Sequence, residues 1–532
     1  MNRCFAKIAG MLLSLTLVVA DPPWIPNVQV SDNPASANQN EVCIAVWKNY
    51  VFAYFNDYRI PTVHAFFARS TNGGLNWEPN FQMPQDSVST YMGDPSVAVD
   101  DTGNLFLCCC DFGRNKVFLT RSTNFGTSWL PTQYVSPGIT AIDKSWVGVK
   151  GKNVYVVWDL GPDPVRHIYL TKSTNRGVTF GPVVRVDNAT SGAARWGPIP
   201  RELADGTVLV SWGCDTRSGI DTVNGIYCAR STDGGSTFTD ILVTNTKFRQ
   251  TSGNPRLFTL PPLESSPTFP QDVYTVFNDG PARSSTDRIN LNIYFCRSTN
   301  GGQSWLARIK INDDSTSTRD TMQQFMPWMA VDYRGWLHAI WYDGRRHQPG
   351  SNRYDVYYAY SSNRGVTWAR NERITDTSFV MNAFCGDYIG LYTDSFYVYA
   401  AWCDTRNSST APDIYFSRRP LPGTNIEERS LLVKTRTGLK ISPNPMSDLT
   451  RIEITDVQLQ TVKSEQEILL KIYDRTGRLV KSCAIAAHRR QSPTAVTWDG
   501  RDDTGQRVAS GVYFCELIIG DWQTRQKVIV IN

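Results

Sequence analysis

The sequence predicts an all-β protein made of repeated antiparallel sheets, with a smaller β domain at its C-terminal end. Aromatic residues make up 12% of the 532 residues and charged residues only 19%, a composition typical of strands and turns. A short motif recurs six times between residues 70 and 368. After about residue 437 the motif no longer occurs and the pattern of turns changes. These observations predict two β domains, at residues 21–419 and 438–532, joined by a linker at 420–437.

The first twenty residues are typical of an export signal. Arg3 and Lys7 precede an apolar run at 11–20 that is too short to span a bilayer, and Ala20 is a small residue suited to a cleavage site. We therefore expect residues 1–20 to be removed, a secreted or surface-displayed protein, and no transmembrane span. The formal charge of +5 comes with no basic cluster, so the sequence does not indicate a nucleic-acid partner.

The repeated motif has the pattern Ser-x-Asn/Asp-x-Gly-x-x-aromatic. In the first copy, Asn72 can bond backbone amides of its own turn, Gly74 permits a positive φ, and Trp77 closes the turn. Successive copies start 51 to 67 residues apart. The six copies lie at 70–77, 122–129, 173–180, 231–238, 298–305 and 361–368.

Each motif lies within a longer unit whose pattern predicts four antiparallel strands, which is one blade of a β-propeller. Seven second strands can be counted, and they end near Asp57, Asp111, Asp159, Asp215, Asp279, Asp343 and Asp404. This count predicts a seven-bladed β-propeller; a six-bladed propeller with an extra sheet is the alternative. The seventh unit has a third strand at 413–417 but no fourth. We predict that residues 25–31 supply it and close the ring.

The motif resembles the Asp box, or BNR repeat, of sialidase-like β-propellers, over about 400 residues. The resemblance implies a sialidase-type glycoside hydrolase that acts on extracellular glycans or glycoproteins. Sialidases use three arginines for the substrate carboxylate, a tyrosine nucleophile with a glutamate, and an aspartate acid/base. The motif is specific for the architecture and not for activity. A non-catalytic surface protein that binds glycan or protein is therefore the alternative.

Candidate site residues lie on the segments that lead into the first strands, where the units differ most from one another. Tyr388, Asp387 and Asp94 are the catalytic candidates, with Tyr388 as nucleophile, and its glutamate partner is not assigned. Arginine can clamp a carboxylate and aromatic rings can stack on sugars, so the substrate-binding candidates are Arg195, Arg201, Arg256, Trp196 and Trp328. Asp143 with Lys144 belongs to the same group of segments.

Two further patterns are interpreted as structural. Aspartate–arginine pairs follow nearly every second strand, as at Asp57 with Arg59, and a residue needed once for catalysis would not recur in this way; a charged ring that grips sugars is the alternative. Arg59-Ile60-Pro61 has the letters of a sialidase motif but lies too close to the repeat at Ser70, so Arg59 is not a catalytic candidate. The consecutive cysteines at 108–110 are interpreted as small apolar residues that pack inside the sheets, because their spacing is not that of metal ligands. No metal site and no cofactor are predicted.

The C-terminal region shows alternating strands joined by Asp/Gly turns, with Trp498-Asp499-Gly500 and the final strand at 527–531. About 95 residues resemble the FlgD-type Ig-like domain and the C-terminal sorting domains of type IX secretion cargo. The resemblance implies a small β-sandwich and a partner in the outer-membrane secretion machinery; a spacer sandwich is the alternative. Cys483 and Cys515 could form a disulfide if their strands are neighbours.

Overall fold

The computed structural model describes residues 23–531 apart from 33–36, 61, 86–88, 90, 137–140, 162–165, 189–193, 216–224, 248–254, 258–259, 281–289, 315–322, 349–350, 424–437, 456–467, 476–477, 486–493 and 520–521. The chain divides into two compact units, Met1–Leu421 and Pro422–Asn532. The predicted export signal and most of the predicted linker lie outside the described residues. The described residues form strands and turns and contain no helix, so the all-β prediction is confirmed.

The first unit contains seven antiparallel sheets in the described part of the chain. Sheet 1 has β2 (Gln39–Trp47), β3 (Tyr50–Asp57), β4 (His64–Ser70) and β5 (Phe81–Gln82). Sheet 2 has β6 (Met92–Val99), β7 (Leu105–Asp111), β8 (Lys116–Ser122) and β9 (Gln133–Tyr134). Sheet 3 has β10 (Ile142–Lys150), β11 (Asn153–Leu160), β12 (His167–Ser173) and β13 (Val184–Arg185). Sheet 4 has β14 (Ala194–Glu202), β15 (Val208–Asp215), β16 (Gly225–Ser231) and β17 (Thr239–Asn245).

The remaining three sheets follow the same order. Sheet 5 has β18 (Leu263–Ser265), β19 (Val273–Asp279), β20 (Asn292–Ser298) and β21 (Ile309–Lys310). Sheet 6 has β22 (Gln324–Val331), β23 (Leu337–Asp343), β24 (Arg353–Ser361) and β25 (Glu372–Arg373), with β26 (Phe379–Val380) also paired to β24. Sheet 7 has β27 (Gly390–Thr393), β28 (Tyr397–Asp404) and β29 (Asp413–Pro420), with β1 (Val28–Gln29) as its fourth strand.

The fourth strand of sheet 7 comes from the N-terminal end of the chain, as predicted. Val28 pairs with Phe416 and Gln29 with Tyr415 in antiparallel register. The Val30 amide donates to the Ile414 carbonyl at 2.8 Å, which extends the pairing. The two distant parts of the chain therefore complete one sheet, and β1 covers the outer edge of β29.

The first strands of the sheets contact one another in a closed cycle. In chain order, β2, β6, β10, β14, β18, β22 and β27 each contact the next, and β27 contacts β2. These first strands and the second strands behind them are largely buried in an apolar core. Side chains at the beginning of the first strands are therefore brought together even though hundreds of residues separate them in the chain.

The repeated motif forms the turn between the third and fourth strands of six sheets. In the first copy, Ser70 Oγ accepts from the Gly74 amide at 2.8 Å, and Asn72 Oδ1 accepts from the Asn76 amide at 3.0 Å. Gly74 has a φ of +86°, and a Cβ built on it would lie 2.1 Å from a Phe416 ring carbon of the preceding sheet. The predicted roles of the asparagine and the glycine are confirmed, and the turn also packs against the neighbouring sheet.

The aspartate–arginine pairs after the second strands are structural wherever both residues are described. Asp57 is fully buried and accepts from both the backbone and the guanidinium of Arg59. Asp404 binds Arg406 in the same way. The pairs at Asp111 with Arg114 and Asp343 with Arg345 repeat the ion pair, whereas Arg217 lies outside the described residues. Each pair ties down its own loop, so the structural interpretation is confirmed. The consecutive cysteines are buried, with Cys108 and Cys110 in one apolar cluster and Cys109 in another.

The described residues of the second unit form two antiparallel sheets that contribute to one apolar core. One sheet has β30 (Gly438–Ser442), β31 (Thr450–Thr455) and β34 (Thr494–Trp498). The other has, in spatial order, β33 (Leu479–Ile485), β32 (Ile468–Asp474), β35 (Gly511–Ile519) and β36 (Trp522–Val530). β32 lies between the strands that carry Cys483 and Cys515, so these strands are not neighbours and both thiols are free. The condition for the suggested disulfide is not met.

Candidate functional site

The first strands of five sheets contain a β-bulge near their beginning. Register shifts fall between Asn40 and Cys43, Gly93 and Ser96, Asp143 and Trp146, Trp196 and Ile199, and Phe325 and Trp328. Three charged residues lie within these bulges at positive φ: Glu41 at 54°, Asp94 at 54° and Lys144 at 45°. A residue with a side chain is strained in this conformation, and bulges redirect side chains near functional sites. The bulges identify the beginnings of the first strands as the candidate site.

Five charged side chains from five segments meet there, and we call them the Lys144 cluster. Lys144 Nζ lies 3.0 Å from Glu41 Oε1, 2.5 Å from Asp94 Oδ1 and 2.8 Å from Asp387 Oδ2. Arg256 donates to the same Asp387 oxygen at 2.6 Å. The side chains of Lys144 and the three acids are at most 8% exposed, whereas that of Arg256 is 37% exposed. The cluster is therefore buried, with Arg256 on the side open to solvent.

Polar and aromatic neighbours hold the cluster in place. Asn56 Nδ2 donates to Glu41 Oε2 at 2.8 Å. The Tyr388 hydroxyl donates to the Pro95 carbonyl at 2.8 Å, and its ring lies 6.0 Å from Lys144 Nζ. The Trp146 ring packs edge-on against Tyr388, with centroids 5.2 Å apart. The Oδ1 atom of Asp387 is buried without a hydrogen-bond partner among the described residues, so the cluster retains one unsatisfied acceptor.

Burial alters the proton affinities of the cluster. It raises the pKa of both Glu41 and Asp94, against the opposing effect of the Lys144 charge. Hydrogen bonding between the two carboxyl groups raises the pKa of Asp94 and lowers that of Glu41. Burial alone would lower the pKa of Lys144, but Asp387, Asp94 and Glu41 together raise it well above its usual value. Lys144 is therefore an ammonium at neutral pH.

A second group of acids adjoins the cluster. Arg166 bridges Asp143 at 2.7 Å and Asp159 at 2.6 Å. Burial and the charge of Asp94 raise the pKa of Asp143 to about 6, and burial and the charge of Asp143 raise that of Asp159 to about 7. Asp143 and Asp159 thus have pKa values close to neutral, and they adjoin Asp94, whose pKa is also raised.

The structure brings some of the sequence candidates together and separates others. Asp94, Asp387 and Arg256 belong to the cluster, Tyr388 lies against it, and Trp328 packs on Trp146 with centroids 4.9 Å apart. Tyr388 is only 1% exposed and its hydroxyl is engaged by a backbone carbonyl, so the nucleophile role expected for it has no geometric support.

The other candidates lie apart. Arg195 is buried beside Asp187, 3.5 Å away, and donates to the Arg166 carbonyl. Arg201 pairs with Glu264 and donates to the Leu263 carbonyl, which links sheets 4 and 5. The Trp196 side chain is buried in the core. The three arginine candidates thus have separate carboxylate partners and do not form one clamp.

Glu41 is the functional residue that sequence reasoning missed. It lies in a strand whose pattern reads as ordinary buried β structure, and only the bulge turns its carboxylate toward Lys144. The available signal was a charged residue directly before the apolar run of the first strand, equivalent in position to Asp94 of the next sheet. Tyr58 was missed as well: its pKa is raised by burial and by the charges of Glu41 and Asp94.

Four aromatic residues lie on segments next to those that carry the cluster. Tyr58 follows β3 and is 37% exposed, and Tyr91 precedes β6 and is 46% exposed. Tyr91 packs on Phe112, with ring centroids 4.9 Å apart. Phe384 lies under the Arg256 guanidinium at 4.5 Å, and its carbonyl accepts from Asn40. We call Tyr58, Tyr91, Phe112 and Phe384 the aromatic rim.

The arrangement combines two neighbouring carboxyl groups with raised pKa values and a fixed ammonium, which is suited to general acid–base chemistry. Among the described residues, no group of three or more His, Cys, Asp and Glu side chains has a geometry that could hold a metal ion. No helix in the described part of the chain is long and apolar enough to cross a membrane.

Comparison with known proteins gives one family match, in the second unit. Residues 448–517 match the FlgD Ig-like domain. A comparison with curated protein sequences finds no match.

Several solved structures are similar to the chain at low identity. Penicillium chrysogenum α-L-arabinanase complexed with arabinobiose is 12% identical over 76% of this chain and 100% of that chain, with a TM-score of 0.44. Phage phi92 endosialidase is 9% identical over 96% of this chain and 87% of that chain, with a TM-score of 0.44. Hadza microbial sialidase Hz136 is 15% identical over 73% of this chain and 66% of that chain, with a TM-score of 0.38. At these values the similarities carry no argument about activity.

Proposed function

We propose that this chain hydrolyses glycosidic bonds of extracellular glycans at the Lys144 cluster, on a seven-bladed β-propeller. The observation that carries the proposal is the pair of buried carboxyl groups, Glu41 and Asp94, held on one ammonium by strained bulges. Two carboxyl groups, one protonated and one ionised, are what glycoside hydrolysis requires. The seven sheets and the closed cycle of first strands support the blade count.

In this proposal Asp94 donates its proton to the oxygen of the departing sugar. Because both carboxyl groups contact Lys144, their contacting oxygens lie within about 5.5 Å of each other, a spacing that leaves no room for a water between them and the sugar. Glu41 therefore attacks the anomeric carbon as the bond to the departing sugar breaks, and a bond between Glu41 and the sugar forms. Asp94 then accepts a proton from the water that attacks the same carbon and releases Glu41 as a carboxylate. Lys144 holds both carboxyl groups in place, and the ring of Tyr388 positions Lys144. Asp387 fixes Lys144 and Arg256 together. The described residues do not assemble three arginines, so the proposal is a hydrolase without the sialidase carboxylate clamp.

A panel of aryl glycosides tests the proposal. The purified protein should release the aryl group from at least one member, and Asp94→Asn or Glu41→Gln should lower kcat by about 100-fold or more. Asp101→Asn is a matched control, because Asp101 is an exposed acid just beyond the other end of β6, and its activity should equal that of the wild type. Absence of turnover across the panel, or full activity in both cluster variants, contradicts hydrolysis.

A non-catalytic glycan-binding protein is the second candidate. It is favoured by the ion pairing of the cluster, in which Glu41, Asp94 and Asp387 all contact Lys144. Such a network can hold sheets 1, 2, 3 and 7 together without chemistry. Binding on a glycan array without hydrolysis of the bound glycan supports this candidate, and hydrolysis excludes it.

The C-terminal unit supports a proposal about location. We infer that residues 438–532 are an Ig-like sandwich that acts as a type IX sorting domain, after removal of residues 1–20 during export. The match of residues 448–517 to the FlgD Ig-like domain supports the first part. Deletion of residues 438–532 should abolish release or surface display while the truncated chain accumulates inside the cell. Unchanged export of the deletion variant leaves only a spacer role.

A further inference from the structure

Building on the proposed function, we infer that the site accepts uncharged sugars and excludes sialic acids and uronic acids. Recognition of an anionic sugar needs a cation that is available to its carboxylate. The Lys144 cluster and its surroundings supply cations that already have carboxylate partners within the protein, and aromatic residues lie on the segments next to those of the cluster.

The arginines near the site form ion pairs with acidic side chains of the protein itself. Arg256 donates to Asp387 at 2.6 Å, and Arg166 bridges Asp143 and Asp159. The guanidinium of Arg256 also stacks on Phe384, which fixes its plane. Because Asp387 already balances the charge of Arg256, an anionic sugar would gain less electrostatic energy from this guanidinium than from one without an acidic partner.

The net charge of the cluster also disfavours binding of an anionic sugar. Glu41, Asp94 and Asp387 face two cations, Lys144 and Arg256. Even with the proton on Asp94, the remaining charges cancel and leave no surplus positive charge. A sugar carboxylate placed near Glu41 would therefore meet repulsion without compensation.

The aromatic rim provides the contacts that an uncharged sugar uses. Tyr58 and Tyr91 are exposed and lie on segments next to the carboxyl pair: Tyr58 directly follows β3, which pairs with the strand of Glu41, and Tyr91 directly precedes β6, which carries Asp94. Aromatic rings pack on the apolar faces of sugars without requiring charge. The hydroxyl of Tyr58 interacts with the Asn40 side chain, so the ring is held at the edge of the site.

Kinetic and binding profiles of the wild-type protein test this inference. The probes are aryl glycosides of neutral pentoses and hexoses, the aryl sialoside and the aryl glucuronide, together with a glycan array of neutral and acidic oligosaccharides. Turnover or binding of neutral sugars, at least 100-fold above that of the acidic ones, supports the inference. Turnover of the sialoside or glucuronide above the neutral sugars overturns it while leaving hydrolysis intact. Binding of neutral sugars without turnover supports it and overturns hydrolysis. Absence of both binding and turnover overturns both.

A charge-reducing variant provides a second, independent measurement. Asp387→Asn releases Arg256 and removes one negative charge, so binding of the acidic glycans should strengthen by about tenfold. Asp101→Asn makes the same charge change at the far end of β6 and should leave their binding unchanged. No gain in acidic-glycan binding by a folded Asp387→Asn protein, as judged by circular dichroism, contradicts the reasoning.

Discussion

Replacement of Lys144 by methionine tests the cluster most directly. Methionine preserves much of the buried hydrocarbon chain but removes the ammonium that lies within 3.0 Å of Glu41, Asp94 and Asp387. Asp387 keeps Arg256, whereas Glu41 and Asp94 lose their cation. Leaving buried charges without a partner costs about 3–5 kcal/mol, so we expect the free energy of unfolding at pH 7 to fall by about that amount.

Proton uptake by the buried carboxylates limits the loss of unfolding free energy and makes that loss depend on pH. A buried carboxylate without a cation can be protonated, at a cost of about 1.36 kcal/mol for each pH unit above its usual pKa. For a glutamate this is about 3.7 kcal/mol at pH 7 and about 1 kcal/mol at pH 5. The destabilisation caused by Lys144→Met should therefore shrink to about 1–2 kcal/mol at pH 5.

Urea unfolding followed by tryptophan fluorescence measures both values. Lys150→Met is the matched control, because Lys150 lies at the exposed end of the same strand, β10, and its replacement should cost less than 0.5 kcal/mol at either pH. A loss below 1 kcal/mol at pH 7, or a loss that is the same at both pH values, would refute the assignment of Lys144 as the partner of buried charges.

Three further predictions concern the fold and its pH dependence. Gly74→Ala should lower the free energy of unfolding by about 2–4 kcal/mol, because its Cβ would collide with Phe416. Gly206→Ala is the control: Gly206 has a φ of +84° and open space around it, so the cost should be only about 1–2 kcal/mol. Equal losses in chemical unfolding contradict the packing argument. Val30→Ala should cost about 2 kcal/mol, since Val30 is buried where the N-terminal segment closes sheet 7, and an unchanged urea midpoint would show that this segment does not contribute to the core. Asp143 has a pKa of about 6 in the folded state against a usual 3.8, so the folded state binds a proton more tightly than the unfolded state does. The resulting contribution to the free energy of unfolding is fully present below about pH 4 and is lost as the pH rises through 6. Asp143→Asn should therefore gain about 2 kcal/mol relative to the wild type between pH 4 and pH 7, and parallel stability curves would contradict the raised pKa.

Local rules account for the parts of the fold that could be predicted. The Ser-x-Asn-x-Gly motif specifies a turn through bonds between residues four positions apart, so its six copies predicted the turns and their glycine conformations. The missing fourth strand of the last unit predicted that the N-terminal segment would supply it, and the pairing of Val28 with Phe416 confirms this. The recurrence of the aspartate–arginine pairs was enough to identify them as loop ties.

The sequence by itself thus determined the repeated turns, the four-stranded unit and the closure of its last sheet, because each depends on neighbours in the chain or on counting repeats. The tertiary structure alone decided which charges meet. Glu41 joins Lys144 only because a bulge reverses its direction, and Asp387 reaches the same ammonium from the other end of the first unit. Likewise, Cys483 and Cys515 are separated by an intervening strand that the order of the sequence does not reveal. The physical reason is that a strand's period specifies alternating faces, whereas bulges and strand order are set by packing between segments that are remote in the chain.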